Sequence, residues 1–165
     1  MEEARQEHVD TCNDNVENYK FIVVGRGARQ SHQTQKTDLN CLIINAQSVI
    51  NKLDLLVATV CDLKPDVLGI TESWANDHVL DSELQLQGYQ LFRCDRPTDN
   101  RGGGVLLYVK SCLKPVEFHT LSQYGEHVWC QIDDLLVGVC YRSTNEAIVG
   151  NNNESKLYSV LFCMK

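Results

Sequence analysis

The stretch LNCLIINAQSVINKLDLLVATVCDLKPDVLGITESW, residues 39–74, decides the fold of this chain. It begins with an apolar run of strand length that ends at Asn45, and residues 66–71 form a second such run. Between the two runs, Ser48 is placed as an N-cap and Pro65 as the end of a helix. The apolar residues that share one face of this helix are Val49, Ile50, Leu53, Leu56, Val57, Val60 and Leu63. Strand, helix and strand in this order predict two parallel strands joined by a right-handed crossover.

Downstream of this unit the sequence becomes rich in strands. GYQLFRC at residues 88–94 predicts one strand, and GGVLLYVK, HVWCQI and LLVGVCYR predict three more in an antiparallel meander. The last segment, SKLYSVLFCMK, is predicted to begin a helix. We therefore expect one α/β domain over residues 39–165.

Upstream, residues 1–38 are predicted to be a disordered leader and linker. The first twenty are polar and acidic with almost no apolar periodicity, and GRGARQSHQTQKTD is typical of a linker. Phe21 to Val24 form the one apolar run in this region that is long enough for a short strand.

The overall composition restricts the function classes. With 15 basic and 22 acidic residues the formal net charge is -7, so contact with a nucleic acid requires a local basic patch or a bound cation. The eight cysteines include no C-x-x-C pair, and no signal peptide or membrane-length apolar run is present. These features predict an intracellular protein, nuclear or cytoplasmic and not secreted, with no membrane partner and no structural zinc.

Two polar residues follow the predicted parallel strands. Asn45 and Glu72 each stand at a carboxyl end, where open α/β sheets place their ligands. A carboxylate with an amide oxygen beside it suits Mg²⁺. On spacing alone, however, a turn asparagine and a solvated glutamate remain the favoured interpretation.

A basic stretch and a strand-end tyrosine are further candidates. Residues 92–115 hold five basic and two acidic residues, a local charge of +3, and Arg96, Arg101 and Lys110 could contact a phosphate backbone. A solvated hairpin is the favoured alternative for this stretch. Tyr141 could donate a hydrogen bond to a phosphate or cover the core with its ring.

Four segments in order carry a resemblance: LIINAQSVINKLDLL, DLKPDVLGITESW, GYQLFRCDRPTDNRGGGVLLYVK and LLVGVCYRS. Over roughly residues 39 to 142 they resemble the endonuclease domain of non-LTR retrotransposons. That domain is a DNase I-like member of the endonuclease/exonuclease/phosphatase family and a relative of the apurinic/apyrimidinic endonucleases. The resemblance reverses the preference for the simpler interpretations above.

The resemblance implies an α/β (α+β) fold in which two β-sheets flanked by helices form a four-layer sandwich, present here in part. It implies Mg²⁺-dependent hydrolysis of a DNA phosphodiester, with Glu72 as the metal ligand and Asn45 and Tyr141 as catalytic residues. No small-molecule cofactor is implied.

The sequence also departs from the family pattern. It contains neither the Gly-Asp-Phe-Asn strand end that positions the attacking water nor the Ser-Asp-His segment, so we expect a truncated N-terminal part with weak or lost DNA cleavage. Three hypotheses follow: an inactive retrotransposon-derived fragment, a nuclease half that needs a complementing chain, and a non-catalytic nucleic-acid-binding or interaction module.

Overall fold

The computed structural model describes residues 19–24, 39–96, 102–120, 126–142 and 158–164. Within them, one sheet contains the strands Tyr19–Val24 (β1), Leu39–Asn45 (β2), Val67–Thr71 (β3), Tyr89–Cys94 (β4) and Val105–Lys110 (β5). Its strand order is β1-β2-β3-β5-β4. Only the β2–β3 pair in it is parallel.

A second sheet is antiparallel throughout its described strands. These are Val116–Phe118 (β6), Glu126–Ile132 (β7), Leu135–Arg142 (β8) and Tyr158–Met164 (β9), in the order β6-β7-β8-β9. The helices of the described residues are Leu53–Leu63 (α1) and Asp81–Leu84 (α2), with short 3₁₀ turns at Ile50–Lys52 and Ser111–Leu113.

Strands β2, β3 and β5 of the first sheet are buried on both faces over most of their length, which explains their nearly continuous apolar sequences. One face packs against the second sheet, in a core that includes Cys41, Ile43 and Val67 from the first sheet and Val137 and Val139 from the second. The other face packs against the helices, and its core is formed by Leu42, Ile44, Val49, Leu56, Val60, Leu68, Ile70, Leu84, Leu106 and Tyr108 among others. The predicted α/β class, with two packed sheets and flanking helices, is therefore confirmed.

The predicted parallel pair is confirmed, but its helix begins later than Ser48. After β2 the backbone stays bonded to the next strand end, because Ser48 N–H donates to Glu72 O (3.0 Å) and Val49 N–H donates to Ser73 O (2.9 Å). Ser48 has φ 79° and makes no capping bond; its hydroxyl accepts from Asn51 Nδ2 (3.2 Å) instead. The continued pairing delays the regular helix to Leu53.

The helical face is only partly as predicted. Leu56 and Val60 are buried, whereas Val57 and Leu63 are exposed. A broad apolar stripe in the sequence therefore overstates how much of α1 the sheet covers.

Three expectations need correction. The meander is wrong, because β5 lies between β3 and β4 in the first sheet while β7 and β8 form a hairpin in the second. The final segment is strand β9, paired with β8, and not a helix. Within the predicted leader, Tyr19–Val24 is a strand paired with β2, as the short run at Phe21 indicated; the rest of 1–38 lies outside the described residues.

Candidate functional site

Three strand ends meet at one rim of the sandwich. Asn45 ends β2 and pairs in register with Thr71, so Glu72 follows directly on the neighbouring strand. Tyr141 lies near the end of β8 in the facing sheet. The fold thus brings together three residues that are distant in the sequence.

The carboxylate of Glu72 is the centre of this cluster. Its Oε1 accepts a hydrogen bond from Asn45 Nδ2 (3.0 Å) and another from the hydroxyl of Tyr141 (3.0 Å). Two donors on one oxygen fix the orientation of the carboxylate. All three residues predicted for catalysis and metal binding therefore lie in one hydrogen-bonded group.

The Tyr141 hydroxyl is a proton donor over the physiological range. Burial raises the pKa of Tyr141 to about 12, and the hydrogen bond and charge of Glu72 act in the same direction. The positive charge of Arg96 lowers this pKa, and the negative charge of Glu126 raises it. The protonated Tyr141 hydroxyl can therefore donate a hydrogen bond to a neighbouring oxyanion.

The backbone that carries Glu72 is unusual. Glu72 and Trp74 have φ of 51° and 55°, in the left-handed region that side chains other than glycine rarely occupy. Hydrogen bonds hold this segment on both sides: Ser73 N–H donates to Gly104 O (3.1 Å), and Ser73 O accepts from Val49 N–H (2.9 Å). Such strain persists at a site only where the surroundings over-determine the conformation.

The glycines of the R-G-G-G-V segment are required by close packing. Gly104 has φ 81°, and a Cβ on it would lie 2.5 Å from the buried hydroxyl of Ser73. Gly103 has φ 75°, and a Cβ there would run into the side chains of Arg96 and Glu126. The segment therefore approaches the Glu72 strand end without side chains of its own.

Arg96, predicted to bind DNA, lies at this rim in an ion pair. Its guanidinium donates to Glu126, and the second oxygen of Glu126 accepts from Gly104 N–H. The side chains of Arg96 and Glu126 retain 18% and 14% of their exposure. Glu126 pairs across the strands with Tyr141, so this ion pair adjoins the Glu72 cluster.

The other predicted DNA contacts are not brought together with Arg96. Lys110 ends β5 and binds Asp66 Oδ1 (2.8 Å) at the opposite rim, because β5 runs antiparallel to β3. Arg101 lies outside the described residues. The basic stretch therefore does not form one patch in the part of the chain that the structure describes.

Sequence reasoning missed Glu126, Ser73 and Trp74 as members of this rim. No local sequence pattern identified Glu126 as a site residue, since its partner Arg96 is 30 residues away. Ser73 and Trp74 belong to the quoted I-T-E-S-W segment, and their proximity to Glu72 in sequence was an available clue.

The residues present fit a divalent cation only in part. Asn45 Oδ1 is buried and has no hydrogen-bond partner, and Glu72 supplies one carboxylate. Among the described residues, no group of three or more His, Cys, Asp or Glu side chains could hold a metal ion. Because Mg²⁺ is commonly held by one or two carboxylates together with substrate phosphates and water, Glu72 beside Asn45 fits an ion that binds with a phosphate ligand.

Comparison with known proteins agrees with this geometry. The model of the endonuclease/exonuclease/phosphatase family matches residues 39–149. No curated protein matched the chain. Among the described residues, we find no helix long and apolar enough to cross a membrane.

Proposed function

The chain belongs to the endonuclease/exonuclease/phosphatase family, a family of nucleases and phosphatases that generally use divalent metal ions, and on that basis we propose that its Glu72 cluster binds a DNA phosphodiester with Mg²⁺. We propose further that it descends from the endonuclease domain of a non-LTR retrotransposon. One observation carries the proposal: Asn45 and Tyr141 converge on Glu72 Oε1 from two different sheets. We also propose an intracellular setting, nuclear or cytoplasmic, as the cysteine pattern of the sequence predicts.

The chemistry assigned to the residues follows from their contacts. Mg²⁺, when bound, would neutralise charge that develops on the phosphate oxygens. Glu72 would hold the ion, and Asn45 Nδ2 keeps the carboxylate in place. Tyr141, whose pKa of about 12 keeps it protonated, would transfer its hydrogen bond from Glu72 to a phosphate oxygen.

Hydrolysis by these residues alone should be slow. The 165-residue sequence contains neither the Gly-Asp-Phe-Asn nor the Ser-Asp-His segment that the resemblance leads us to expect. A positioned general base or oxyanion donor contributes roughly 10²- to 10⁴-fold each. We therefore propose that this chain alone binds the phosphodiester better than it cleaves it, and that a complementing chain with those segments would restore cleavage.

A plasmid-nicking assay tests this proposal. We expect slow conversion of supercoiled to nicked plasmid that requires Mg²⁺, stops with a chelator, and is lost in Glu72→Gln. Tyr141→Phe removes only the hydroxyl and should reduce nicking by roughly 10- to 150-fold, since one hydrogen bond to a charged group contributes about 1.5–3 kcal/mol. Asp66→Asn, at the opposite rim, is the matched carboxylate control and should nick normally. Nicking that persists in Glu72→Gln would refute the assignment.

A second function, nucleic-acid binding without hydrolysis, is favoured by the lack of the Gly-Asp-Phe-Asn and Ser-Asp-His segments in this sequence. It predicts salt-sensitive binding to a labelled duplex and no nicking even at high protein concentration. Undetectable binding at low salt would exclude it, and so would binding that Arg101→Ala leaves unchanged.

A further inference from the structure

Trp74 presents a large aromatic side chain to solvent next to the Glu72 cluster. It is 45% exposed, whereas its neighbours Ser73 and Ala75 are 0% and 3% exposed. Most of a tryptophan's surface is apolar, so exposure forgoes a large stabilising contribution from burial. A solvent-exposed indole between two buried residues is therefore a candidate contact for a ligand.

Hydrogen bonds fix the backbone that carries this indole. Trp74 is in the left-handed region, and its N–H donates to Gly103 O (2.9 Å). The preceding peptide is anchored on both sides, because Ser73 N–H donates to Gly104 O and Ser73 O accepts from Val49 N–H. An aromatic side chain on a fixed backbone has only two side-chain torsions to order, so it loses little conformational entropy when a ligand binds.

One edge of the ring lies beside the Gly102 backbone. A Cβ built on Gly102 would lie 3.5 Å from Trp74 Nε1, which is ordinary contact distance. The indole thus adjoins the Gly102 backbone at its nitrogen edge while 45% of the residue stays exposed. This glycine-rich segment and the Glu72 strand end together frame the ring.

Electrostatic attraction is a weak source of affinity at this rim. The chain has a net charge of -7, the Arg96 guanidinium is bound to Glu126, and Lys110 lies at the opposite rim. Stacking of a base on an aromatic ring needs no charge, since every nucleobase has a π-face. A stacking contact would therefore supply affinity that the described cations near Glu72 do not.

We infer that Trp74 is the stacking surface for a nucleobase next to the phosphate bound at Glu72. The inference rests on the proposed function, because it takes the ligand to be a nucleic acid. It adds that the site recognises an unstacked base, in single-stranded or locally opened DNA, and not the phosphate backbone alone.

Two probes separate bases from phosphates. One is a thymidine single strand of about twelve nucleotides, within the range of single-strand sites; the other has the same length and charge but carries base-free tetrahydrofuran residues throughout. The chain has two tryptophans, so Trp129→Phe leaves Trp74 as the only one that contributes to the emission. In that protein, with Mg²⁺ present and emission read before measurable cleavage, we expect the base-bearing strand to quench indole emission and the base-free strand not to.

Affinity supplies the second measurement. Trp74→Ala should weaken binding of the base-bearing strand by about 5- to 150-fold, the range for one stacked base, and leave the base-free strand unchanged. Trp74→Phe, which keeps a ring, should retain most of the affinity. Phe118→Ala removes an aromatic side chain of similar exposure, 42%, from edge strand β6 and should have no effect.

The outcomes distinguish this inference from the proposed function. Equal binding of the two strands, or binding of neither, or a Trp74→Ala affinity equal to that of the parent, overturns the stacking role even if Glu72-dependent nicking is observed. A base preference that is lost in Trp74→Ala supports the role even if no nicking occurs, in which case hydrolysis is the part that fails.

Discussion

Alanine at Gly104 should destabilise the protein more than alanine at Gly88, although the two glycines have almost the same positive φ. Their φ values are 81° and 83°, so the left-handed penalty for a Cβ, about 1–2 kcal/mol, applies equally to both. At Gly88 an added Cβ meets nothing within 4 Å, whereas at Gly104 it lies 2.5 Å from Ser73 Oγ. Overpacking in a close-packed interior costs about 1–3 kcal/mol. We therefore expect losses of about 1–2 kcal/mol for Gly88→Ala and about 2–5 kcal/mol for Gly104→Ala.

Urea unfolding of the variants measures these losses, provided that the slope of the free energy of unfolding against urea concentration is the same in all of them. Ser73→Ala removes the hydroxyl that the new Cβ would meet, so the double variant Ser73→Ala/Gly104→Ala should recover part of the lost stability, with a coupling of about 0.5–3 kcal/mol. Equal losses at Gly88 and Gly104, or strictly additive effects in the double variant, would refute the steric argument.

Two further predictions concern titration and charge. Burial raises the pKa of Tyr89 and Tyr141 to about 12 and also raises that of Tyr108, from an ordinary value of 10.0. Because the unfolded chain loses these protons first, the free energy of unfolding should be unaffected by them below pH 10 and fall from about pH 10 to 12. Phenolate absorbance equivalent to more than three of the six tyrosines before unfolding would contradict this. Lys110→Ala should lower stability by about 0.2–1 kcal/mol through the lost pairing with Asp66 and leave affinity for a labelled duplex unchanged, and several-fold weaker binding would restore Lys110 as a DNA contact.

Most of the site was accessible from sequence because it depends on strand ends. Asn45 and Glu72 each follow an apolar run, and parallel pairing of those runs brings their ends to one rim. Tyr141 could be assigned only by resemblance, since nothing local shows that β8 faces β2 and β3 across the core. The ion pair of Arg96 with Glu126 joins two sheets and had no sequence signature.

Parts of the fold were not predictable because tertiary contacts override local pattern. GGVLLYVK reads as a strand, but its place between β3 and β4 is set by partners that are distant in sequence. SKLYSVLFCMK is a short apolar segment that is compatible with a helix or a strand. Because its residues pair with β8, it forms a strand. Ser48 has the residue type of a helix cap, but the bond from its N–H to Glu72 O holds it in the sheet rim instead.

Strand β1 has a consequence for how the domain is delimited. The family match begins at residue 39, but β1 pairs with β2 from Tyr19↔Ile44 to Val24↔Leu39 and so occupies the outer edge of the first sheet. A chain started at Leu39 would leave the N–H and C=O groups along that side of β2 without partners, and open edges of this kind recruit strands from other molecules. The folding unit therefore starts at least twenty residues before the recognisable family sequence, and expression boundaries drawn from the family match alone would favour self-association.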